Sequence, residues 1–186
     1  MRVIIVHGWE GQPKHGWYPW LKEKLEENGY EVSLPSMPNT KYPIMNYWLK
    51  HLNHIVGNVD KDCYFIGHSL GCITILRYLE NLKKNEKIGG VVLVAGFTST
   101  LGYQELESFF KKPINWNKIK DHCSNFVSIN SDNDPDVSMH YSTFFKENLK
   151  SDIIIEHNMG HFTENDGITK LPSALKAILK ISSKRK

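Results

Sequence analysis

The sequence predicts one α/β domain built around a parallel β-sheet. Its 186 residues suit a single compact domain, and short runs rich in β-branched residues alternate with amphipathic stretches along the chain. The runs are apolar throughout instead of alternating with polar residues, which is typical of strands that helices cover on both faces. Strands are predicted at residues 3–6, 30–34, 63–66, 91–94, 126–129 and 153–155.

Five amphipathic stretches between these runs predict helices. They lie at residues 17–28, 44–56, 70–82, 139–149 and 170–181. In the first stretch, Trp17, Leu21 and Leu25 form one apolar stripe and charged residues fill the opposite face. We therefore expect that helix to pack on the sheet by one side. Asn28 and Gly29 then predict its end.

The segment 97–124 does not follow the alternation of strands and helices. It is rich in aromatic residues and is interrupted by Pro113, so we expect a small cap over one edge of the sheet. Nothing else in the chain indicates a second domain. The prediction is a single domain over residues 1–186, which ends in a basic tail at 182–186.

Composition and charge exclude several classes of protein. The chain is 40% hydrophobic and 23% charged, as in ordinary globular domains and unlike disordered chains. Its formal net charge is +3, and three positive charges lie together at residues 184–186, so the rest of the chain is close to neutral. No stripe of Lys and Arg that would bind a nucleic acid is present in it. No run approaches the roughly 18 apolar residues of a membrane span, and no membrane association is predicted.

The cysteines indicate a reducing compartment. Cys63, Cys72 and Cys123 are odd in number, are never spaced C-x-x-C, and lie in or beside apolar stretches, which is typical of reduced core residues. The chain enters its first apolar run almost at once, so we expect no signal peptide. A cytoplasmic protein is the expectation.

The strongest motif is Gly67-His68-Ser69-Leu70-Gly71, which directly follows a predicted strand and directly precedes a predicted helix. In that position the glycines allow a turn too sharp for a Cβ atom, and the turn lifts the serine clear of the sheet. The N-terminus of the helix favours developing negative charge beside it. The pattern predicts a nucleophilic serine. The alternative is a serine that only caps the helix.

A serine nucleophile needs a base, and histidine is the residue best suited to that role near neutral pH. Of the nine histidines, His161 follows the strand at 153–155 by a short loop. It therefore lies at the carboxyl edge of the sheet, where ligands bind in open α/β folds. His68 is the rival, but its side chain leaves the turn in a different direction from Ser69, so we expect it to pack beside the site. No cluster of His and Cys has the spacing of a metal site, and no metal is predicted.

Three aspartates compete to orient that histidine. Asp132, Asp134 and Asp136 all follow the strand at 126–129. Pro135 restricts Asp134 to an extended conformation that can hold its carboxylate toward the strand edge, whereas Asp136 suits a helix cap and Asp132 suits a turn. We therefore choose Asp134. The resulting order of Ser, Asp and His along the chain is that of α/β-hydrolases.

An acyl-transfer reaction also needs two backbone donors for the oxyanion. We predict the amide of Leu70, directly after the serine, and the amide of Trp9, in the glycine-containing loop after the first strand. Four aromatic residues are candidates for an apolar substrate pocket, with the core as the alternative position for each. They are Phe97, Phe109, Phe110 and Trp116.

Seven segments of the chain, in order, resemble a known family. They are His7-Gly8, residues 34–39, Gly67 to Gly71, Val94-Ala95-Gly96, residues 113–119, residues 131–137 and Gly160-His161-Phe162. The family is that of the small serine hydrolases related to retinoblastoma-binding protein 9, and the similarity covers nearly the whole chain. The resemblance implies a minimal α/β-hydrolase without the first hairpin strands, whose six-stranded, mostly parallel sheet has the order 2-1-3-4-5-6. It also implies a triad of Ser69, Asp134 and His161.

One property of that family is not implied here. A member binds the retinoblastoma pocket through an L-x-C-x-E sequence, but the nearest segment of this chain, residues 70–74, ends in Thr74 and lies on the predicted helix after Ser69. The prediction therefore leaves a protein partner open.

Together these features predict a cofactor-free serine hydrolase that acts on small carboxylic esters or related acyl compounds. Two alternatives stay open. The chain could be a hydrolase-shaped module that binds a protein partner without turnover, or an acyltransferase that uses the same residues and passes the acyl group to an acceptor other than water.

Overall fold

The computed structural model describes residues 1–183 and contains one six-stranded sheet. Residues 184–186 of the predicted basic tail lie outside the described part. The strands are β1 (Arg2–Val6), β2 (Glu31–Ser33), β3 (Cys63–His68), β4 (Gly90–Val94), β5 (Phe126–Ser131) and β6 (Asp152–Glu156). Their spatial order is β2-β1-β3-β4-β5-β6, and every neighbouring pair is parallel. The predicted fold class and strand order are confirmed.

Seven α-helices lie between or after the strands within residues 1–183. They are α1 (Tyr18–Glu27), α2 (Met45–Val56), α3 (Leu70–Glu80), α4 (Glu107–Phe110), α5 (Trp116–His122), α6 (His140–Leu149) and α7 (Pro172–Ser183). The five predicted helices are all present, with their ends shifted by a few residues. Helices α4 and α5 were not predicted, because they lie in the aromatic-rich segment where the apolar pattern is irregular. The first two residues of the predicted tail belong to α7.

The sheet separates two apolar clusters, one on each face. Strand residues alternate between them: Ile4 and Phe65 belong to the first cluster, and Ile5 and Ile66 belong to the second. The first cluster also receives side chains from α2, α3, α5 and α6, and the second receives them from α1 and α7. Because both faces of the central strands are covered, these strands are apolar throughout, as the sequence predicted.

The segment predicted to form a cap is attached to the body of the domain. Arg77 of α3 is buried, and its side chain is only 5% exposed. Its guanidinium donates hydrogen bonds to three backbone carbonyls of the segment, those of Phe109, Lys112 and Pro113. Glu80 lies within 2.8 Å and neutralises the charge. A buried cation that is paired with Glu80 and hydrogen-bonded to three backbone carbonyls holds this segment against α3.

The structure agrees with two expectations from the sequence, one about membrane-spanning helices and one about the cysteines. The structure has no helix within residues 1–183 with the length and apolar character needed to cross a membrane. The three cysteines are buried and form no disulfide. Burial raises the pKa of Cys63 to about 12, so its thiol stays protonated and is a poor nucleophile near neutral pH.

Candidate active site

Ser69 lies on a sharp turn between β3 and α3. Its backbone φ is +52°, a left-handed conformation that is strained for a residue with a side chain. The flanking glycines are needed for space, since a Cβ atom on Gly67 would lie 2.7 Å from the Cys72 amide nitrogen. A Cβ atom on Gly71 would lie 2.1 Å from the Val6 carbonyl oxygen. The Ser69 side chain makes no capping hydrogen bond to α3, so the helix-cap alternative does not describe it.

A chain of hydrogen bonds runs from Ser69 through His161 to Asp134. Ser69 Oγ and His161 Nε2 are 2.9 Å apart, and His161 Nδ1 and Asp134 Oδ2 are also 2.9 Å apart. Because an ionised carboxylate only accepts, Nδ1 carries the proton, and Nε2 accepts from the serine hydroxyl. The Asp134 side chain is 1% exposed. The structure therefore brings together the three residues selected from the sequence, in the order that acyl-transfer chemistry requires.

Backbone amides fix the orientation of the Asp134 carboxylate. Its Oδ1 atom accepts hydrogen bonds from the amides of Asp136 and Val137, each at 2.9 Å, so both carboxylate oxygens are satisfied. The rival Asp132 instead contacts His157 Nδ1 at 2.5 Å, and this hydrogen bond raises the pKa of the exposed His157. The geometry favours Asp134 as the carboxylate partner of His161.

Two further side chains join the loop after β5 to the loop after β6. Ser131 Oγ accepts a hydrogen bond from the Met159 amide at 3.0 Å, and Asn133 Oδ1 accepts one from the Gly160 amide at 2.9 Å. Ser131 Oγ also donates to Asn133 Oδ1 at 2.8 Å. The sequence did not identify either residue, although the run of polar residues after β5 was the available signal.

The loop after β1 lies against the turn that carries Ser69. A Cβ atom on Gly8 would be 3.1 Å from the Cβ atom of Ser69, so glycine permits this close approach. Buried His7 holds the loop, because its Nδ1 donates to the Gly8 carbonyl at 2.8 Å and its Nε2 accepts from a backbone amide after β2 at 3.0 Å. Burial lowers the pKa of His7. The two predicted oxyanion donors are the backbone amides of Trp9 and Leu70. These two residues directly follow Gly8 and Ser69 in the sequence.

His68 lies beside His161, and its hydrogen-bond partners do not include the serine hydroxyl. Its imidazole is buried: Nε2 is 2.8 Å from the His161 carbonyl oxygen, and Nδ1 is 2.6 Å from the Tyr18 hydroxyl. Burial lowers the pKa of His68 to about 3, so the ring is neutral at ordinary pH. This position agrees with the expectation that His68 packs beside the site.

Two cavities share Ser69 and His161 among their lining residues. The smaller cavity, of about 220 Å³, is lined mainly by apolar and aromatic side chains. They are Phe97, Leu101, Tyr103, Leu106 and Val137. The larger cavity, of about 350 Å³, has more polar side chains along its wall. They include Glu10, His15, Thr163, Glu164 and Asn165.

The structure places the four candidate pocket residues differently from one another. All four lie within the described chain, and only Phe97 borders a cavity at Ser69. Phe109 is fully buried and packs edge-on against a tryptophan of α2. Phe110 lies beside Phe97, with 6.0 Å between the ring centroids, and Trp116 packs against two phenylalanines of α6. Helices α4 and α5 dock on the body of the domain, so Phe109, Phe110 and Trp116 do not line the cavities beside the serine.

One group of potential metal ligands is present among residues 1–183. It consists of Asp134, Asp136 and His161, whose donor atoms lie within 4.8 Å of one another. Asp134 and His161 are already joined by the hydrogen bond described above. The group is therefore part of the triad site and does not form a separate metal centre.

Comparisons with known proteins agree with this architecture. A family model described as "Serine hydrolase" matches residues 3–180. The YdeN protein of Bacillus subtilis strain 168 is 32% identical over 172 residues, which cover 92% of this chain and 90% of YdeN. The crystal structure of the ydeN gene product matches with a TM-score of 0.92, at 31% identity over 98% of both chains.

Two more distant proteins extend the comparison. The serine hydrolase RBBP9 of Rattus norvegicus is 27% identical over 183 residues, which cover 96% of this chain and 95% of that protein. The structure of Est1E from Butyrivibrio proteoclasticus with bound ferulic acid matches with a TM-score of 0.78, over 98% of this chain and 89% of Est1E. At 14% identity, the likeness to Est1E shows the shared fold alone.

Proposed function

Because the chain belongs to the serine hydrolase family, we propose that it hydrolyses short carboxylic esters through an acyl-enzyme formed on Ser69. The observation that carries this proposal is the continuous chain of hydrogen bonds from Ser69 through His161 to Asp134. A serine hydroxyl is a weak nucleophile unless a base accepts its proton. Here the base is already in contact with the hydroxyl and is oriented by a buried carboxylate.

Acylation begins when Ser69 Oγ attacks the carbonyl carbon of the ester and His161 Nε2 takes the hydroxyl proton. Asp134 stabilises the imidazolium that forms and keeps the proton on Nδ1. The carbonyl oxygen becomes an oxyanion, and the amides of Leu70 and Trp9 donate hydrogen bonds to it. The tetrahedral intermediate then collapses: the bond to the alcohol oxygen breaks, and His161 returns its proton to the departing alcohol.

Deacylation repeats these steps with water as the nucleophile. His161 Nε2 takes a proton from a water molecule as that water attacks the acyl carbon. The second tetrahedral intermediate expels Ser69 Oγ, which regains the proton from His161 and leaves the carboxylic acid as product. No group other than water is needed to complete this cycle.

The two cavities support a specific substrate class. We assign the acyl group to the apolar cavity of about 220 Å³, whose wall includes Phe97, because burial of each methylene there contributes about 0.8 kcal/mol. The alcohol part of the ester then occupies the polar cavity of about 350 Å³. Within the described chain, no lysine or arginine lines either cavity, and Glu10 and Glu164 line the polar one. We therefore expect uncharged or cationic esters to be better substrates than anionic ones.

A fluorophosphonate probe tests the nucleophile directly, because it reacts covalently with activated serines. We expect labelling of the native protein near neutral pH and none of Ser69→Ala. The matched control is Ser124→Ala, which alters an exposed serine just before β5 and should be labelled as the native protein is. In parallel, Ser69→Ala should lose on the order of 10³ or more of the ester hydrolysis rate. Equal labelling of Ser69→Ala and the native protein would exclude Ser69 as the nucleophile.

A further inference from the structure

The second residue of the Gly67-to-Gly71 motif has contacts that the proposed reaction does not require. The His68 side chain lies between Tyr18 of α1 and the backbone of His161, with contacts of 2.6 Å and 2.8 Å. His68 is 4% exposed and Tyr18 is 5% exposed. The His68 ring also lies beside the His161 ring, with 5.1 Å between the centroids. A buried imidazole is thus joined to the main chain of the proposed catalytic base.

The chemistry of the two partners determines where the protons lie. The His161 carbonyl oxygen only accepts, so His68 Nε2 must carry a proton. A neutral imidazole carries one proton, which leaves Nδ1 as an acceptor for the Tyr18 hydroxyl. The order is therefore Tyr18 O–H to His68 Nδ1, and His68 Nε2–H to the His161 carbonyl. If Tyr18 did not donate, the other tautomer would be available, and its Nε2 lone pair would face the carbonyl oxygen and repel it.

The loop that carries His161 has an unusual backbone. Gly160 and Phe162, on either side of His161, have φ values of +53° and +57°, and the second of these is strained for a residue with a side chain. The Trp17 indole donates a hydrogen bond to the Phe162 carbonyl at 3.0 Å. Two consecutive carbonyls of this loop are therefore held by buried side chains, one by Trp17 and one by His68. A loop with strained backbone angles keeps one conformation only when its surroundings fix it.

We propose that Tyr18 and His68 form a positioning pair, which holds the backbone of His161 so that its Nε2 atom stays within hydrogen-bonding distance of Ser69 Oγ. This inference rests on the proposed function, because it assigns the pair a role in keeping His161 in place as the base. His68 is a positioning residue and takes no proton from the substrate. Small displacements of a catalytic group reduce the rate strongly, since reacting atoms must be within about 3–3.5 Å of one another.

The test begins with Tyr18→Phe, which removes one hydroxyl and keeps the buried ring. We expect kcat for a short ester to fall about tenfold, and the rate of fluorophosphonate labelling to fall by a similar factor. The loss should fall mainly on kcat and not on KM, because the Tyr18 hydroxyl is hydrogen-bonded to His68. Tyr18 also lines the polar cavity, so a raised KM with an unchanged kcat would show an effect on substrate binding and would overturn the positioning role. The matched control is Tyr30→Phe, whose buried hydroxyl bonds to Ser182 far along the chain. The control should lose stability but keep both native rates.

Two replacements of His68 separate its two hydrogen bonds. In His68→Gln, the side-chain amide nitrogen reaches the position of imidazole Nε2 and can donate to the His161 carbonyl. His68→Asn can accept from Tyr18, but its side chain is too short to reach that carbonyl. We expect His68→Gln to retain at least about tenfold more activity than His68→Asn, with both measured at temperatures where each variant is folded.

Each outcome of these experiments supports or overturns the positioning role of Tyr18 and His68. The positioning role is overturned if Tyr18→Phe labels and turns over at the native rate, or if the Gln and Asn variants of His68 are equally active. If the His68 variants do not fold, Tyr18→Phe still tests the pair, because native rates of labelling and turnover in this variant overturn the positioning role. Failure of the proposed function gives a different result, in which the native protein itself shows no labelling that depends on Ser69.

Discussion

Mild acid should destabilise this protein through His68, and replacement of His68 should remove that part of the effect. In the folded protein, burial lowers the pKa of His68 from 6.5 to about 3. The charges of His161 and His7 act in the same direction, whereas the hydrogen bond to the His161 backbone and the charge of Asp134 oppose it. In the unfolded chain, the imidazole is in water and binds a proton near its ordinary pKa. Below about pH 6.5 the unfolded chain therefore binds one more proton at this site than the folded protein, and the free energy of unfolding falls as the pH falls.

The size of this effect follows from the difference between the two pKa values. One such group lowers the free energy of unfolding by about 1.4 kcal/mol for each pH unit below its unfolded pKa. Between about pH 6.5 and about pH 5 the expected loss is ~2 kcal/mol. His68 is 4% exposed, so little solvent screening reduces this value. A loss of ~2 kcal/mol is a measurable fraction of the roughly 5–15 kcal/mol typical of whole domains.

Urea unfolding at about pH 7 and about pH 5 measures the loss directly. We expect the native protein to lose ~2 kcal/mol more than His68→Gln over this range, whatever the stability of the variant at neutral pH. The control is His54→Gln, which changes an exposed residue of α2 and should keep the native dependence. If His68→Gln and the native protein lose the same free energy, burial does not hold His68 neutral and the reasoning is refuted.

Two further predictions concern the triad and the substrate cavity. Asp134→Asn should lower kcat roughly 10⁴-fold while the fold stays intact, and Asp132→Asn should have less than about a tenfold effect. A larger loss in Asp132→Asn than in Asp134→Asn, with circular dichroism as the check on folding, would reverse the assignment. In a series of model esters with lengthening acyl chains, Phe97→Ala should move the best substrate to longer chains because it enlarges the apolar cavity, whereas Trp116→Ala should leave the optimum unchanged. An optimum that moves in Trp116→Ala but not in Phe97→Ala would contradict the placement of the acyl group.

The sequence determined the fold class and the sharp turn at Ser69, because both depend on short-range patterns. Apolar runs without alternation predicted strands covered on both faces, and the two clusters on either side of the sheet confirm this. The glycines at 67 and 71 predicted the sharp turn, since a Cβ atom at either position would collide with the backbone. The sequence also predicted Ser69 from its motif, His161 from its place after the strand at 153–155, and Asp134 from the restriction by Pro135. The placement of these residues at the ends of parallel strands then required that they meet at one edge of the sheet.

The placement of the side chains of residues 97–124 was harder to predict, because the direction of a side chain on a short helix depends on how that helix docks. Aromatic residues recur along residues 97–124 without a regular spacing. The composition of this segment therefore could not distinguish residues of a pocket wall from residues of the core. The guanidinium of Arg77 binds the segment against α3. Phe109 and Trp116 therefore face the body of the domain, and Phe97, which closely follows β4, borders the cavity.

Only the tertiary structure decided what His68 does. The motif placed His68 one residue before the serine, but its partners come from elements 50 and 93 residues away in the chain. Hydrogen-bonding geometry between distant elements is set by the packing of α1 and of the loop after β6 on the sheet, and no local pattern encodes that packing. The sequence by itself therefore determined which groups could react, whereas the packing of distant elements decided which buried side chains hold them in place.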